Sequence, residues 1–230
     1  MKKIKAVFFD LDHTLWDFDR NSEEAIQELA ENLKLKEKGV PGLDEFMNVY
    51  RKINHEMWDA YHRHAISKEE LRTGRFSRSL ATFGIHDADL SEQMATEYIA
   101  ISPHKTNLFP GALDVLEYLK EKYRLHIITN GFREVQYIKI KKSGLHQFFE
   151  GIHISEEIGF KKPEPEIFHH AVLKAETVTE HCIMIGDNLE TDIQGALNAG
   201  IQPVWFNPQK LSSPSGLKSI SHLEEIKNIL

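Results

Sequence analysis

Four short clusters in the sequence carry residue types that could do chemistry together. The first is Asp10-Leu11-Asp12-His13-Thr14 and the second Thr129-Asn130-Gly131. The third is Lys161-Lys162-Pro163, and the fourth is Gly186-Asp187 with Asp192 five residues on. Taken singly, each has an ordinary structural use. An Asp after a strand caps a turn, Thr-Asn-Gly makes a turn, and Lys-Lys-Pro is a solvated corner. Taken together they supply carboxylates, a hydroxyl, an amide and a cation. Carboxylates gathered in a partly desolvated cleft repel one another, and a divalent cation relieves that repulsion. Carboxylate oxygens, with water and phosphate oxygens, are the donor set that suits Mg2+.

The elements around these clusters can bring them to one place. Residues 4–9, Ile-Lys-Ala-Val-Phe-Phe, are short, apolar and β-prone, and read as a buried strand that ends at Asp10. From Pro110 onward strand and helix patterns alternate. Helices are expected over 111–122, 132–142, 165–174 and 190–199, with Gly144 and Gly200 as stops; strands are expected over 125–129, 152–155, 182–186 and 203–206. Ser221 with Glu224 is expected to cap a last short helix, and residues 207–219 read as a loop. Such alternation specifies an α/β fold, a three-layer Rossmannoid core with a parallel sheet covered on both faces. Ligands of open α/β sheets bind beyond the carboxyl ends of the strands, and each cluster follows or adjoins such an end.

The alternation is interrupted after its first strand. Between about 21 and 102 the apolar spacing is helical throughout, with stripes at Ala25-Ile26-Leu29-Leu33, Phe46-Tyr50-Ile53-Met57-Tyr61, Phe76-Leu80-Phe83 and Met94-Tyr98-Ile101. Ser67 and Glu70 have the spacing of a capping box. The expected organisation is a core of residues 1–16 and 106–230 with an all-helical insertion at 17–105.

In this order and spacing the clusters resemble the haloacid dehalogenase superfamily of phosphotransferases. The match is Asp10-x-Asp12-x-Thr14, Thr129 after an apolar strand, Lys162 before Pro163, and Gly186-Asp187-(x)4-Asp192, and it spans the whole core. The insertion resembles that superfamily's helical C1-type cap. Phe9–Trp16, Thr129–Gln136 and Ser155–Gly159 resemble its pyrimidine-nucleotidase-like subgroup. His13 stands where many members have Gly or Asp, and its side chain is expected to point away from the phosphate.

The resemblance implies roles. Asp10 would be the nucleophile that forms an aspartyl-phosphate, since a carboxylate needs no deprotonation near neutral pH. Asp12 would protonate the leaving oxygen and later take a proton from water. Mg2+ would be held by Asp10, the Asp12 backbone carbonyl and Asp187, screening the nucleophile from the phosphate. Thr129, with the backbone N–H groups of Asn130 and Gly131, would hold phosphate oxygens, and Lys162 would neutralise the phosphoryl group. Asp192 would stand behind these as partner of Lys162 or of a metal-bound water. The superfamily's true dehalogenases lack the second Asp, because a halide leaving group needs no proton. Asp12 therefore favours phosphate-ester hydrolysis. The implied substrate is a small phosphomonoester, first a nucleoside 5′-monophosphate, with Trp16, Phe18, Trp58 and Tyr61 as candidate faces for a base. A phosphoglycolate or sugar-phosphate phosphatase, a phosphomutase, and a receiver-like module that accepts phosphate on Asp without turnover are the alternatives.

Composition narrows the field further. The 230 residues, 41% hydrophobic and 27% charged, exclude disorder and mini-scaffolds. With 28 basic against 35 acidic residues the chain has no electrostatic footprint for a nucleic acid polymer or an anionic membrane. The apolar run before Asp10 is shorter than the roughly 7–15 residues of a signal-peptide core, and none approaches the roughly 18–20 of a membrane span. The expected location is the cytoplasm. The single cysteine, Cys182, lies in an apolar run and reads as a small buried hydrophobe. The thirteen histidines include no pair with partners at zinc spacing.

Overall fold

The computed structural model describes residues 3–230. After β1 (Ala6–Phe9) come four helices, α1 (Phe18–Asn32), α2 (Leu43–His62), α3 (Lys68–Thr82) and α4 (Ala88–Ile101). Then follow α5 (Ala112–Lys120), β2 (Arg124–Thr129), α6 (Arg133–Lys142), β3 (Gly151–Ile154), α7 (Ser155–Ile158) and α8 (Pro165–Lys174). β4 (Cys182–Gly186) leads into a π-type turn (Leu189–Gln194) and α9 (Gly195–Asn198). β5 (Gln202–Phe206), β6 (Ser219–Ile220) and a 3-10 turn (Leu223–Asn228) complete the chain. Two compact units result. One runs through Phe18 and resumes at Thr106–Leu230; the other is Asp19–Lys105. No described helix is long and apolar enough to cross a membrane.

The first unit is built on one six-stranded parallel sheet of order β3-β2-β1-β4-β5-β6. Parallel strands covered on both faces must be apolar on both faces, and β1 is buried throughout. Val7 and Phe9 pack with Val115, Leu116 and Leu119 of α5, Ile140 of α6 and Leu223 and Ile226 of the last turn. Ala6 and Phe8 pack on the opposite face with Ile167, Phe168 and Ala171 of α8 and Ala196 of α9. This is the expected three-layer α/β arrangement.

The strands fall within two residues of their expected places, and the differences lie at the margins. The expected loop 207–219 ends in β6: Ser219, its last residue, and Ile220 beyond it pair with Trp205 and Phe206 of β5. The last turn is capped by Glu225, not Glu224: its Oε1 accepts from the N–H of Ser221 and His222 and from the Ser221 hydroxyl. The second unit is helical, α2 packing on α3 and α3 on α4, around Ala25, Leu29, Phe46, Tyr50, Phe76, Leu80, Met94 and Tyr98. Ser67 and Glu70 form the reciprocal capping box.

Candidate functional site

β1 lies between β2 and β4, so the sheet grows outward on both sides from the first strand. Connections that diverge in this way leave a crevice beyond the strand ends. Asp10 is the first residue past β1, fixed there by its N–H bond to the Ile185 carbonyl at 2.9 Å. Thr129 ends β2, and Gly186 ends β4 just before Asp187. The chain then turns sharply: the N–H groups of Leu15 and Trp16 both donate to the Leu11 carbonyl, at 3.0 and 2.9 Å. His13 reaches a left-handed φ of 63° in that turn, and its ring packs on Phe18 with centroids 4.7 Å apart.

Lys162 comes from the segment between α7 and α8, and Asn130 holds it. The Asn130 side chain accepts the Lys162 N–H at 2.8 Å and donates to the Lys162 carbonyl at 2.9 Å. The Lys162–Pro163 peptide is cis. The Lys162 ammonium, 2% exposed, donates to Asp10 Oδ1 at 2.5 Å and Asp192 Oδ1 at 2.6 Å. Asp192 is held in turn by the Asn188 N–H at 3.0 Å. Gly186 makes this possible, because a Cβ at that position would run into the Asp192 carboxylate. Asp187 accepts from the Thr14 hydroxyl at 3.3 Å, and its backbone carbonyl accepts from the Trp205 indole at 2.7 Å.

The carboxylates of Asp10, Asp187 and Asp192 offer oxygens that all lie within 4.8 Å of one another. Burial pushes Asp10 well above the usual carboxylate range; Lys162 pulls against this, and Asp192 and Asp187 add repulsion. Burial and Asp192 push Asp187 up to about 8. Burial would lower Lys162, but the Asp10 and Asp192 carboxylates outweigh it and hold the ammonium charged. One ammonium among two buried carboxylates and a half-buried third leaves a deficit of positive charge. An all-oxygen donor set with such a deficit fits a hard divalent cation such as Mg2+.

Asp12 faces another way. Its Oδ1 accepts from the Lys139 ammonium at 2.6 Å and its Oδ2 from the Gln136 amide at 2.7 Å. Burial alone would raise Asp12, yet Lys139 with these hydrogen bonds holds it below its ordinary value. The same Gln136 amide donates to the Thr129 hydroxyl oxygen at 2.8 Å. The Gly131 N–H, expected to point at phosphate, donates to that oxygen at 3.1 Å. With two donors on its oxygen, Thr129 keeps its own proton to give to a third group. Trp16, expected as a face for a base, is fully buried, with the Lys139 ammonium 4.1 Å from its ring centroid. Gln136, Lys139 and the clamping side chain of Asn130 were not singled out from sequence. The available signal was a polar pair spaced i, i+3 on the helix directly after Thr129-Asn130-Gly131.

Comparison with known proteins places this geometry in a family. A family model described as haloacid dehalogenase-like hydrolase matches residues 4–200. Pyrimidine 5′-nucleotidase PynA of Streptococcus pneumoniae is 36% identical over 91% of this chain and 86% of its own. Pyrimidine 5′-nucleotidase YjjG of Escherichia coli is 30% identical over 97% and 96%. YfnB of Bacillus subtilis, which is named as a HAD-hydrolase, is 33% identical over 100% and 97%. A crystal structure of YfnB bound to magnesium superposes with a TM-score of 0.90 at 30% identity, over 100% of this chain and 99% of that one.

Proposed function

The chain belongs to the haloacid dehalogenase-like hydrolases and is a phosphatase; from that premise we propose that it hydrolyses a small phosphomonoester, a nucleoside 5′-monophosphate, through an aspartyl-phosphate on Asp10 with Mg2+ as cofactor. The observation that carries this reading is the strand-end constellation: Asp10 at the tip of the central strand, Lys162 against it at 2.5 Å, and Thr129 at the end of the next strand.

An Asp10 oxygen attacks phosphorus, and the bond from phosphorus to the ester oxygen breaks. Asp12, ionised at rest, takes up the proton of the bound phosphate monoanion and passes it to the departing oxygen, so the alcohol leaves neutral. Asp12 then takes a proton from a water whose oxygen attacks phosphorus; the bond to Asp10 breaks, and inorganic phosphate leaves. Lys162 and the Thr129 hydroxyl stabilise the phosphoryl oxygens as charge spreads over them. Asp10, the Asp12 backbone carbonyl and Asp187 would hold Mg2+, which supplies charge neutralisation between nucleophile and phosphate when bound. Asp192 positions Lys162 from behind. The inserted helical unit, a C1-type cap in this reading, is the part we assign to selecting the alcohol. The phosphate grip itself would not tell a nucleotide from a sugar phosphate.

The test is phosphate release from pyrimidine and purine nucleoside 5′-monophosphates, hexose phosphates and phosphoglycolate, with Mg2+ and with chelator. The expected result is Mg2+-dependent turnover with the highest kcat/KM on a pyrimidine monophosphate. A tenfold preference for a sugar phosphate or phosphoglycolate would overturn the nucleotide assignment and leave the phosphatase standing. Uptake of one phosphate equivalent without turnover would identify a receiver-like module, and interconversion of sugar-phosphate isomers a phosphomutase.

A further inference from the structure

We propose that Gln136 and Lys139 are positioning residues for Asp12, locking its carboxylate where it exchanges protons with the leaving oxygen and the water. The proposal rests on the reading of Asp12 as proton donor given above. Both residues lie on α6, one turn apart, and both are buried, Gln136 at 0% and Lys139 at 4% exposure. Each oxygen of the Asp12 carboxylate has its own donor, Lys139 on Oδ1 and Gln136 on Oδ2. Turning the carboxylate about its bond would break both hydrogen bonds at once.

Gln136 also reaches Thr129, so one amide nitrogen ties the proton-transfer group to the hydroxyl assigned to phosphate. The amide's orientation is dictated, since the reverse would set Oε1 against a carboxylate oxygen. The consequence is that Gln136 Oε1 is buried with no hydrogen-bond partner. An orphaned buried carbonyl costs stability, and an apolar residue at that position would avoid the cost. Gly131 serves the same arrangement, because a Cβ there would occupy the space of the Gln136 amide. Lys139 is steadied from its other side by the face of Trp16. A lysine and a glutamine buried in this manner are poor packing and good positioning.

The experiment compares two esters on the full chain with Mg2+. A nucleoside 5′-monophosphate has an alkoxide leaving group that needs a proton; 4-nitrophenyl phosphate has one that does not. Wild type is compared with Gln136→Met, Lys139→Met, Lys139→Arg and Gly131→Ala, with thermal unfolding to establish that each is folded. Gln136→Met and Lys139→Met should lower kcat/KM for the nucleotide about 100-fold, the range of a lost general acid, and for the aryl ester by under about fivefold. Because Asp12 also serves the second step, the aryl ester should then show a burst of one equivalent of nitrophenol. Lys139→Arg should restore much of the nucleotide activity. Gly131→Ala keeps both side chains while displacing the amide, and should show the same split between esters. Equal losses on the two esters, or no loss, would overturn the proposal while the phosphatase reading stands. A wild-type chain that hydrolyses neither ester would overturn that reading and this proposal with it.

Discussion

At its carboxyl end β2 delivers Thr129 to a crevice where the Lys162 ammonium stays charged although buried, against Asp10 and Asp192; three residues earlier the same strand buries His126 against His153, where charge is refused. His126 and His153 are 2% and 4% exposed, with Nδ1 and Nε2 3.1 Å apart and rings stacked at 5.3 Å. Burial, then Arg124, depresses His126 to about 4. Burial, then His126, His170 and Lys174, depresses His153 to about 3. The two regions share one strand and similar burial. They differ in counter-charge: the crevice brings anions to its lysine, and the histidine pair meets only neutral or basic neighbours in these interactions. Burial keeps a charge where the fold preassembles its partner, and removes it where none arrives.

The sharpest way to break the comparison is at the nucleophile. Asp10→Asn should lower turnover by at least about 10³-fold, because an amide cannot attack phosphorus. It should fold normally, since Lys162 keeps Asp192 as partner. More than a few per cent residual activity, with deamidation excluded by mass spectrometry, would remove Asp10 from its role. Lys162→Met strips the crevice of its built-in cation and leaves three carboxylates together. It should lose about 3 kcal/mol of stability in chelator, as expected for a broken buried pair, and Mg2+ should return part of that loss in denaturant titrations. Mg2+-independent stability would show that the carboxylates do not form a cation site.

A smaller effect separates the acids. Asp192 is occupied by the Lys162 ammonium and the Asn188 N–H, while the Asp187 carboxylate takes the Thr14 hydroxyl and a backbone N–H and no ammonium hydrogen bond among the described residues. Asp187→Ala should therefore weaken Mg2+ binding, followed calorimetrically, far more than Asp192→Ala; matching titration curves would reverse that ordering. At neutral pH the smallest effect is expected at the histidines. Their folded pKa values lie below the ordinary 6.5, so the unfolded chain takes up protons first as pH falls. Stability from this pair is complete above about pH 6.5 and is lost from there toward pH 3–4. Replacing both with glutamine should flatten that stretch of the stability curve, and parallel curves would assign the acid sensitivity elsewhere.

Much of the crevice was legible because its residues sit at fixed offsets from strand ends. Asp10, Thr129 and Asp187 follow runs whose apolar character marks them as strands, and a parallel sheet puts such ends on one edge. The pattern could not show Gln136 and Lys139, which look like ordinary polar positions of a helix and gain meaning only when α6 lies beside Asp12. Nor could it show that the Asn130 side chain would spend itself on the Lys162 backbone, or that the Gly131 N–H would be taken by Thr129. The second is local, a hydroxyl closing a turn on the N–H two residues on; the first is a contact between loops, set by how closely two turns approach. Trp16 erred for the same reason: an aromatic after a motif reads as a free face until packing fills it. Glu225 replaced Glu224 at the last cap because the turn starts one residue later than expected, with His222 as its N-cap and Glu225 three residues on.

The sequence by itself determined the α/β layering, the helical insertion and the strand-end placement of Asp10, Asp12, Thr129 and Asp187, because apolar periodicity and turn residues act locally along the chain. Only the tertiary structure decided which buried charges meet. It set Lys162 between Asp10 and Asp192, and turned Asp12 toward α6 and away from the three-acid cluster. Those partners are 30 to 152 residues apart, and the free energy of a buried charge depends on ångström distances that no local spacing encodes.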